Sequence, residues 1–193
     1  LKGFCPSFVS VDAQLQARTT SHKIDGLPDP KHKVSDGVSN IILTGIGGTG
    51  VLTVSAITAM AAHYEGKEST ILDMTGLAQK GGAVWSHIKI YEKNVKTFSH
   101  KIAPASANLF LACDAVVGTK PEIQEVLSDK KTYSIINSDT IPVADFVTNR
   151  DLDFKDDEVL KVIDKTTKDI DITVPAIKIA ENLCGDAIAA NIM

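Results

Sequence analysis

The residues with the clearest chemical potential in this chain are four closely spaced glycines, Gly45, Gly47, Gly48 and Gly50. They follow the short apolar run 40–44 and satisfy the pattern G-x-G-x-x-G. In such a turn the first glycine permits a tight bend, the second lets an anion approach the backbone, and the third lets a helix pack on a strand. The pattern predicts a binding site for a phosphate-bearing ligand at the start of a helix. The alternative is that the glycines only pack a helix against a sheet.

An acidic residue stands where a dinucleotide-binding enzyme would need one. Asp73 ends a predicted strand over residues 69–73 and lies 23 residues after Gly50. In dinucleotide-binding domains an acid at about this distance binds the ribose. One hypothesis is therefore an NAD(P)-binding domain of a dehydrogenase.

A second glycine-bearing loop follows this strand at residues 74–82 and contains Lys80, Gly81 and Gly82. Open α/β sheets bind ligands beyond the carboxyl ends of their strands, which is where this loop falls. Lys80 is then a well-placed cation for a negatively charged ligand. Alternatively, the glycine pair forms only a bulge or turn before the next strand.

Strands and helices alternate along the chain from residue 40 onward, and this order positions both loops. We predict strands at residues 40–44, 69–73, 83–91, 108–117 and 132–137. We predict helices at residues 51–64, 104–107, 121–128, 156–168 and 175–193. This alternation predicts an α/β fold with an open, mostly parallel sheet and helices on both faces, a Rossmann-like three-layer arrangement.

The composition is that of an ordinary globular domain. The chain has 193 residues, a formal net charge of −4 and 44% hydrophobic residues. No apolar run reaches the roughly 18–20 residues that a membrane helix needs, so we expect no contact with a membrane. The slightly acidic balance, with Arg18 and Arg150 the only arginines, argues against nucleic acid as a partner.

The remaining candidate residues form no catalytic or metal-binding pattern. Cys5, Cys113 and Cys184 lack C-x-x-C spacing, and we predict that Cys113 and Cys184 are inert core thiols. His87 either faces the second loop or is a satisfied core or surface histidine, and we favour the latter. We therefore predict no catalytic residue and no metal ligand in this chain.

Residues 1–39 differ from the rest, because they hold three of the seven prolines and scattered charges. We predict a tail or linker over 1–39 and a compact domain over 40–193. The chain begins at Leu1 without a methionine, shows no signal-peptide layout and ends at Met193 without a helix stop signal. We therefore expect a piece of a longer cytoplasmic protein, truncated at its C-terminus.

Three stretches, residues 45–51, 72–83 and 184–191, resemble the gamma-type domain of the 2-oxoacid:ferredoxin oxidoreductases. The likeness is closest to the fused bacterial indolepyruvate ferredoxin oxidoreductases. Residues 2–9 resemble the end of the thiamine-diphosphate region that precedes this domain in those fused chains. The resemblance thus covers nearly the whole chain.

The resemblance implies an enzyme that oxidatively decarboxylates aryl 2-oxo acids such as indolepyruvate to acyl-coenzyme A and passes electrons to ferredoxin. It implies thiamine diphosphate, Mg²⁺ and [4Fe-4S] clusters in the whole enzyme, and a homodimer of the full-length chain. The gamma-type domain packs against the thiamine-diphosphate and iron–sulfur domains, helps to shape the site and is inactive alone. Cys5 is a candidate cluster ligand together with residues upstream.

The resemblance also implies roles for individual residues. Family members do not use nicotinamide here, which makes the diphosphate of coenzyme A a candidate for the anion at the glycine turn. The implied cofactor-binding or partner-facing residues are Gly45, Gly47, Gly48, Thr49, Gly50, Asp73, Thr75, Gln79, Lys80, Gly81 and Gly82.

Overall fold

Six strands form one sheet in the computed structural model, which describes residues 37–76, 82–97, 99–139, 156–168 and 171–191. The strands are β1 (Val38–Ile46), β2 (Glu68–Thr75), β3 (Ala83–Tyr91), β4 (Leu109–Ala112), β5 (Tyr133–Asn137) and β6 (Asp171–Val174). The helices are α1 (Val51–Tyr64), α2 (Ala115–Gly118), α3 (Pro121–Gln124), α4 (Asp156–Asp164) and α5 (Ala176–Cys184), followed by a 3₁₀ helix (Ala187–Asn191).

The sheet has the order β2-β3-β1-β4-β5-β6. Neighbours from β1 to β6 pair in parallel, whereas β3 is antiparallel to both β1 and β2. Five of the six described strands therefore run in one direction, which confirms the predicted mostly parallel sheet. In the register, Val84 of β3 lies opposite Gly45 on one side and Thr75 on the other. The ends of β1 and β2 thus lie level at the same edge of the sheet.

Helices cover both faces of the sheet, as predicted. Because successive strand residues point to opposite faces, Ile42 and Leu43 of β1 enter different clusters. Ile42 packs in one core with Phe110 of β4 and Ile163 of α4. Leu43 packs in the other with Val51 of α1. The sheet is therefore the middle layer of three.

The predicted strand 108–117 is wrong in its second half. β4 ends at Ala112, and the carboxylate of Asp114 accepts a hydrogen bond from the Val117 N–H (2.9 Å), which caps α2. A Cβ at Gly118 would lie 2.6 Å from Cζ of Phe110, so α2 packs closely on β4. An apolar run with a capping aspartate in its middle cannot be read as one strand.

The predicted helices at 104–107 and 121–128 are also corrected. Residues 104–107 are not helical; the N–H groups of Ala105 and Ser106 donate to the carbonyls of Glu125 and Val126. α3 ends at Gln124, although hydrogen-bonded turns continue to Leu127. The conformation of residues 104–107 is determined by hydrogen bonds to a segment that is distant in sequence, and the local sequence does not reveal this partner.

The C-terminal part of the structure contains one strand that was not predicted, and one predicted helix is divided in two. β6 was not predicted, because it is only four residues long and begins where a strongly charged stretch ends. The predicted helix 175–193 is broken, since α5 ends at Cys184 and Gly185 has a φ of +75°, after which the 3₁₀ helix begins. The predicted helix 156–168 is confirmed as α4, which ends at Asp164.

Some predictions fall outside the described residues. They are the character of residues 1–36, including Cys5, and the roles of Gln79, Lys80 and Gly81. β1 begins at Val38, two residues before the predicted domain boundary at residue 40.

Candidate functional site: a glycine-lined groove

The glycine turn joins β1 to α1 and is held by its own hydrogen bonds. The N–H and the hydroxyl of Thr49 both donate to the Ile46 carbonyl, at 3.1 and 2.7 Å. The N–H of Gly47 donates to the carbonyl of Gly82 (2.7 Å), which joins the turn to the residue before β3. Gly48 has a φ of +93°, a conformation that favours glycine. The turn is therefore held by hydrogen bonds to the end of β1 and to the residue before β3.

The glycines serve two purposes. A Cβ at Gly45 would collide with the Val51 side chain, and one at Gly50 would collide with the Asn191 amide. These two glycines allow close packing, as the alternative interpretation proposed. Gly48, in contrast, has no atom within 4 Å of the position of a Cβ, so its backbone borders open space.

A groove of about 580 Å³ lies between this turn and the ends of β2 and β3. Its wall includes Gly47, Gly48, Gly50, Thr75, Gly76 and Gly82. The paired ends of β1, β2 and β3 bring the two predicted loops to one place. The first turn of α1 also reaches the groove through Val51 and Leu52. Since the first N–H groups of a helix have no intrahelical acceptor and carry partial positive charge, the groove can receive an anionic group.

Besides Gly45, which packs against Val51, two more of the predicted site residues lie outside the groove. The carboxylate of Asp73 accepts hydrogen bonds from the hydroxyls of Ser86 (2.5 Å) and Ser55 (3.4 Å), and it does not line the groove. Thr49 lines a second cavity on the other side of the turn. Asp73 therefore acts as a link between β2, β3 and α1, where the sequence had suggested a ribose ligand.

The comparison with protein families decides what this domain is. The family described as pyruvate ferredoxin/flavodoxin oxidoreductase matches residues 40–193. The chain belongs to this family. The resemblance found in the three sequence stretches is thereby confirmed, and the dehydrogenase reading loses its support.

Two similar proteins are subunits of oxidoreductases, and one of them has been compared as a structure. The indolepyruvate oxidoreductase subunit IorB of Archaeoglobus fulgidus is 29% identical over 155 residues, which are 80% of this chain and 72% of that protein. The gamma subunit of a keto/oxoacid ferredoxin oxidoreductase from Geobacter sulfurreducens superimposes with a TM-score of 0.51 at 19% identity, covering 80% of this chain and 71% of that chain. These likenesses confirm the predicted fold class.

A third relative shows the same fold inside a much longer chain. It is the 2-oxoglutarate:ferredoxin oxidoreductase of Magnetococcus marinus, solved with 2-oxoglutarate, coenzyme A and succinyl-CoA bound. Its TM-score is 0.56 at 15% identity, covering 81% of this chain but only 23% of that chain. The same fold therefore occurs both as a separate subunit and as one part of a larger polypeptide.

The second cavity, of about 660 Å³, lies between α1 and the pair formed by α5 and the 3₁₀ helix. Its wall is largely apolar and includes Cys113. Burial raises the pKa of the Cys113 thiol to about 11, and the neighbouring Asp114 carboxylate adds to the shift. The thiol is therefore protonated at neutral pH, although Cys113 is half-buried in the cavity wall, whereas the sequence had predicted a position in the core. Cys184 differs from its prediction, because it is exposed.

The N-terminus of α5 is already occupied by side chains from the end of β5. The amide oxygen of Asn137 accepts from the Ala176 N–H (3.1 Å). The carboxylate of Asp139 accepts from the N–H groups of Ile177 (2.9 Å) and Lys178 (3.1 Å). The sequence suggested only a turn at Asn137, and nothing local indicates that its partner is a helix 39 residues away.

His87 is a core residue, which is the interpretation favoured from the sequence. It is buried in β3, and its Nδ1 accepts a hydrogen bond from the Ile102 N–H (3.3 Å). Burial lowers the pKa of His87 to about 4, and the charges of Lys101 and Lys89 add to the effect. The imidazole is neutral at pH 7 and fastens the segment before β4 to the sheet.

Within the described part of the chain, no three His, Cys, Asp or Glu side chains are grouped as metal ligands would be. The described helices include none with the length and apolar character needed to cross a bilayer.

Proposed function

We propose that this chain is the gamma-type domain of an oxidoreductase that oxidatively decarboxylates aryl 2-oxo acids such as indolepyruvate. In the complete enzyme, coenzyme A takes the acyl group and ferredoxin takes the electrons. The family match over residues 40–193 supports the reaction class. The similarity to a subunit named for indolepyruvate supports the aryl substrate. The enzyme works in the cytoplasm, and this domain alone does not carry out the decarboxylation.

The glycine-lined groove carries the proposal within this chain. It has the volume of a ligand site and a wall lined by backbone groups. The positive end of the α1 dipole also borders it. These features suit a diphosphate, and coenzyme A is the diphosphate-bearing substrate of the proposed reaction. Both ends of the loop that contains Lys80, at Gly76 and Gly82, lie on the groove. We therefore assign Lys80 and Gln79 to the same ligand or to the neighbouring domain that holds it.

The other groups of the reaction do not fit the residues described. Thiamine diphosphate needs a divalent cation held by oxygen ligands, and an iron–sulfur cluster needs several thiolates. Cys113 is protonated in an apolar wall, and Cys184 lies on α5 at the surface. We assign both groups to the remaining domains of the same polypeptide, with residues 1–39 leading from the thiamine-diphosphate domain and Cys5 completing a cluster upstream.

Ligand-dependent stabilisation tests the groove. A ligand that binds the folded state at 100 times its Kd adds about 2.7 kcal/mol to the free energy of unfolding. We expect coenzyme A to raise the melting temperature of the 193-residue chain and NAD⁺ to leave it unchanged, because Asp73 is engaged by Ser55 and Ser86. A shift with NAD⁺ and none with coenzyme A would restore the dehydrogenase hypothesis.

A pair of lysine variants makes the test specific. Lys80→Ala should reduce the coenzyme A shift, because it removes a positive charge from the loop beside the groove. Lys130→Ala removes the same charge from an exposed position between α3 and β5 and should change nothing. An equal loss of the shift in both variants would mean that only general electrostatic attraction is involved.

A further inference from the structure

A polar cluster joins three of the elements that surround the glycine-lined groove. The Asp73 carboxylate on β2 accepts hydrogen bonds from the hydroxyl groups of Ser86 on β3 (2.5 Å) and Ser55 on α1 (3.4 Å), both through Oδ1. Both serines are buried, whereas Asp73 is exposed on an edge strand of the described sheet. We call Ser55, Asp73 and Ser86 the carboxylate link.

On the sheet, the carboxylate link lies one strand repeat behind the groove. Asp73 of β2 is directly opposite Ser86 of β3, and Thr75 is directly opposite Val84. Since side chains two residues apart on a strand point to the same face, these two pairs lie side by side on the face that α1 covers. Thr75 and Val84 line the groove. The hydrogen bond from Ser86 to Asp73 therefore joins the two strands next to the ends that form one wall.

On α1, the carboxylate link lies one helical turn behind the groove. Ser55 follows Val51 by four residues and Leu52 by three, and residues at these spacings are neighbours on a helix. Val51 and Leu52 line the groove. The Ser55 hydroxyl is shared between the Leu52 carbonyl (2.9 Å) and the Asp73 carboxylate (3.4 Å). The link therefore reaches the first turn of α1, which forms the opposite wall.

The negative charge of Asp73 argues against a direct contact with an anionic ligand. Its side chain does not line the groove, and a carboxylate nearby repels a diphosphate. A carboxylate oxygen is nevertheless suited to accept from two hydroxyl groups at once, because it has two lone pairs. Binding groups keep their geometry only where neighbouring residues hold them in place. The charge and the contacts of Asp73 thus favour positioning over binding.

We propose that Asp73 is a positioning residue for the groove. By holding Ser55 and Ser86, it keeps the first turn of α1 and the ends of β2 and β3 at the separation that a diphosphate-bearing ligand requires. The identity of the ligand rests on the proposed function, whereas the role of Asp73 rests on the hydrogen bonds of the carboxylate link. The side-chain oxygen of residue 73 is therefore essential, and its negative charge is not.

Titration calorimetry of the 193-residue chain with coenzyme A tests the consequence for binding. Asp73→Ala removes the acceptor and should raise the dissociation constant at least about tenfold. Asp73→Asn keeps an oxygen that accepts from a hydroxyl group and should bind within about threefold of the wild type. A residue that acted only through its charge would give the opposite sign, because both variants remove a negative charge and would bind the anion more tightly. That result, or unchanged affinity of Asp73→Ala, would overturn the proposal.

Thr132→Val is the matched structural control. The buried Thr132 hydroxyl donates to the Ala107 carbonyl (2.8 Å) and accepts from the Ser128 N–H (2.9 Å). It lies before the amino end of β5, whereas the groove lies beyond the carboxyl end of β1, which runs in the same direction. Its loss should lower the melting temperature but leave the affinity for coenzyme A unchanged. An equal loss of affinity in Thr132→Val and Asp73→Ala would mean that general destabilisation is responsible.

Amide hydrogen exchange measured by NMR tests the positioning without a ligand. The N–H groups of Thr53 and Gly76 form hydrogen bonds in the first turn of α1 and at the end of β2. Relative to the Tyr133 amide, they should exchange at least about tenfold faster in Asp73→Ala and near the wild-type rate in Asp73→Asn. Unchanged exchange in Asp73→Ala would overturn the role of Asp73. Faster exchange in a chain whose wild type binds no coenzyme A would support that role and overturn only the proposed ligand.

Discussion

Single glycines decide which part of the turn packs and which part can bind. Gly45 and Gly50 are held against Val51 and Asn191 and have no room for a Cβ, whereas Gly48 has open space above it. A motif search treats the glycines as equivalent, because it contains no information about what lies beside each one. Only Gly47, Gly48 and Gly50 of the four line the groove, where the backbone can meet a ligand.

The shifted pKa of His87 makes the free energy of unfolding depend on pH. Its pKa is about 4 in the folded chain and near 6.5 when unfolded, so the unfolded state binds more protons between these values. Its contribution to stability is therefore complete above pH 6.5 and is lost as the pH falls toward 4. The loss amounts to about 3 kcal/mol at most. Urea unfolding at a series of pH values between 7 and 4 measures it.

A non-titrating replacement isolates this effect. His87→Asn keeps a hydrogen-bond acceptor for the Ile102 N–H but cannot take up a proton, so its stability should depend less on pH. His100→Asn removes a histidine from an exposed position and should retain the wild-type dependence. The same pH profile for wild type and His87→Asn would mean that another group is responsible.

At the scale of elements, side chains distant in sequence determine where several elements begin. The N-cap position of α5 is Pro175, whose side chain offers no acceptor, and Asn137 and Asp139 supply the acceptors from the end of β5. The cap of α2 is local in contrast, because Asp114 accepts from an N–H only three residues ahead. The missed strand β6 depends on pairing with β5, which brings Ile172 beside Ile135. Local patterns locate the long elements correctly, and tertiary hydrogen bonds determine the short ones.

The cap of α5 by Asp139 leads to a stability prediction. Asp139→Ala removes the acceptor of two helix N–H groups and should lower the free energy of unfolding by about 1–2 kcal/mol. Asp129→Ala removes a carboxylate from an exposed position and should have little effect. The urea midpoints of both variants provide the measurement. Equal midpoints would show that α5 is held by its packing alone.

At the scale of the whole molecule, the fold provides a scaffold with a glycine-lined groove at one edge of the sheet. The groove holds backbone groups and no described acid–base pair, and the groups whose pKa is shifted by burial, such as His87, Cys113 and Asp114, lie outside it. Such a domain can bind and position a substrate, and in the proposed reaction we assign bond cleavage to residues of other domains.

Because we assign binding to this domain and bond cleavage to other domains, we predict that the isolated chain is inactive. With indolepyruvate, coenzyme A and oxidised ferredoxin, the purified 193-residue chain should reduce no ferredoxin, because it contributes binding groups and no group to form the carbanion. Ferredoxin reduction followed by absorbance is the measurement, with an intact 2-oxoacid:ferredoxin oxidoreductase as the positive control. Turnover by the fragment would contradict the proposed role.

The sequence by itself determined the α/β class and the family, and it predicted where the candidate site lies. These follow from local features: apolar runs of strand or helix length, glycines at turn spacing, and a specific loop at residues 72–83. Each depends on neighbours within about ten residues, so periodicity and composition reveal it.

Only the tertiary structure decided which of the candidate residues lie together at the groove. Asp73 and Gly48 both looked like ligand-binding residues, yet the pairing of β2 with β3 places the Asp73 carboxylate on Ser86 while Gly48 faces the groove. Which residues of α1 are exposed also depends on which side of this uncharged helix the sheet covers. The physical reason is the same in both cases. Pairing and packing between segments far apart in sequence fix the direction of each side chain, and a local pattern carries no information about such partners.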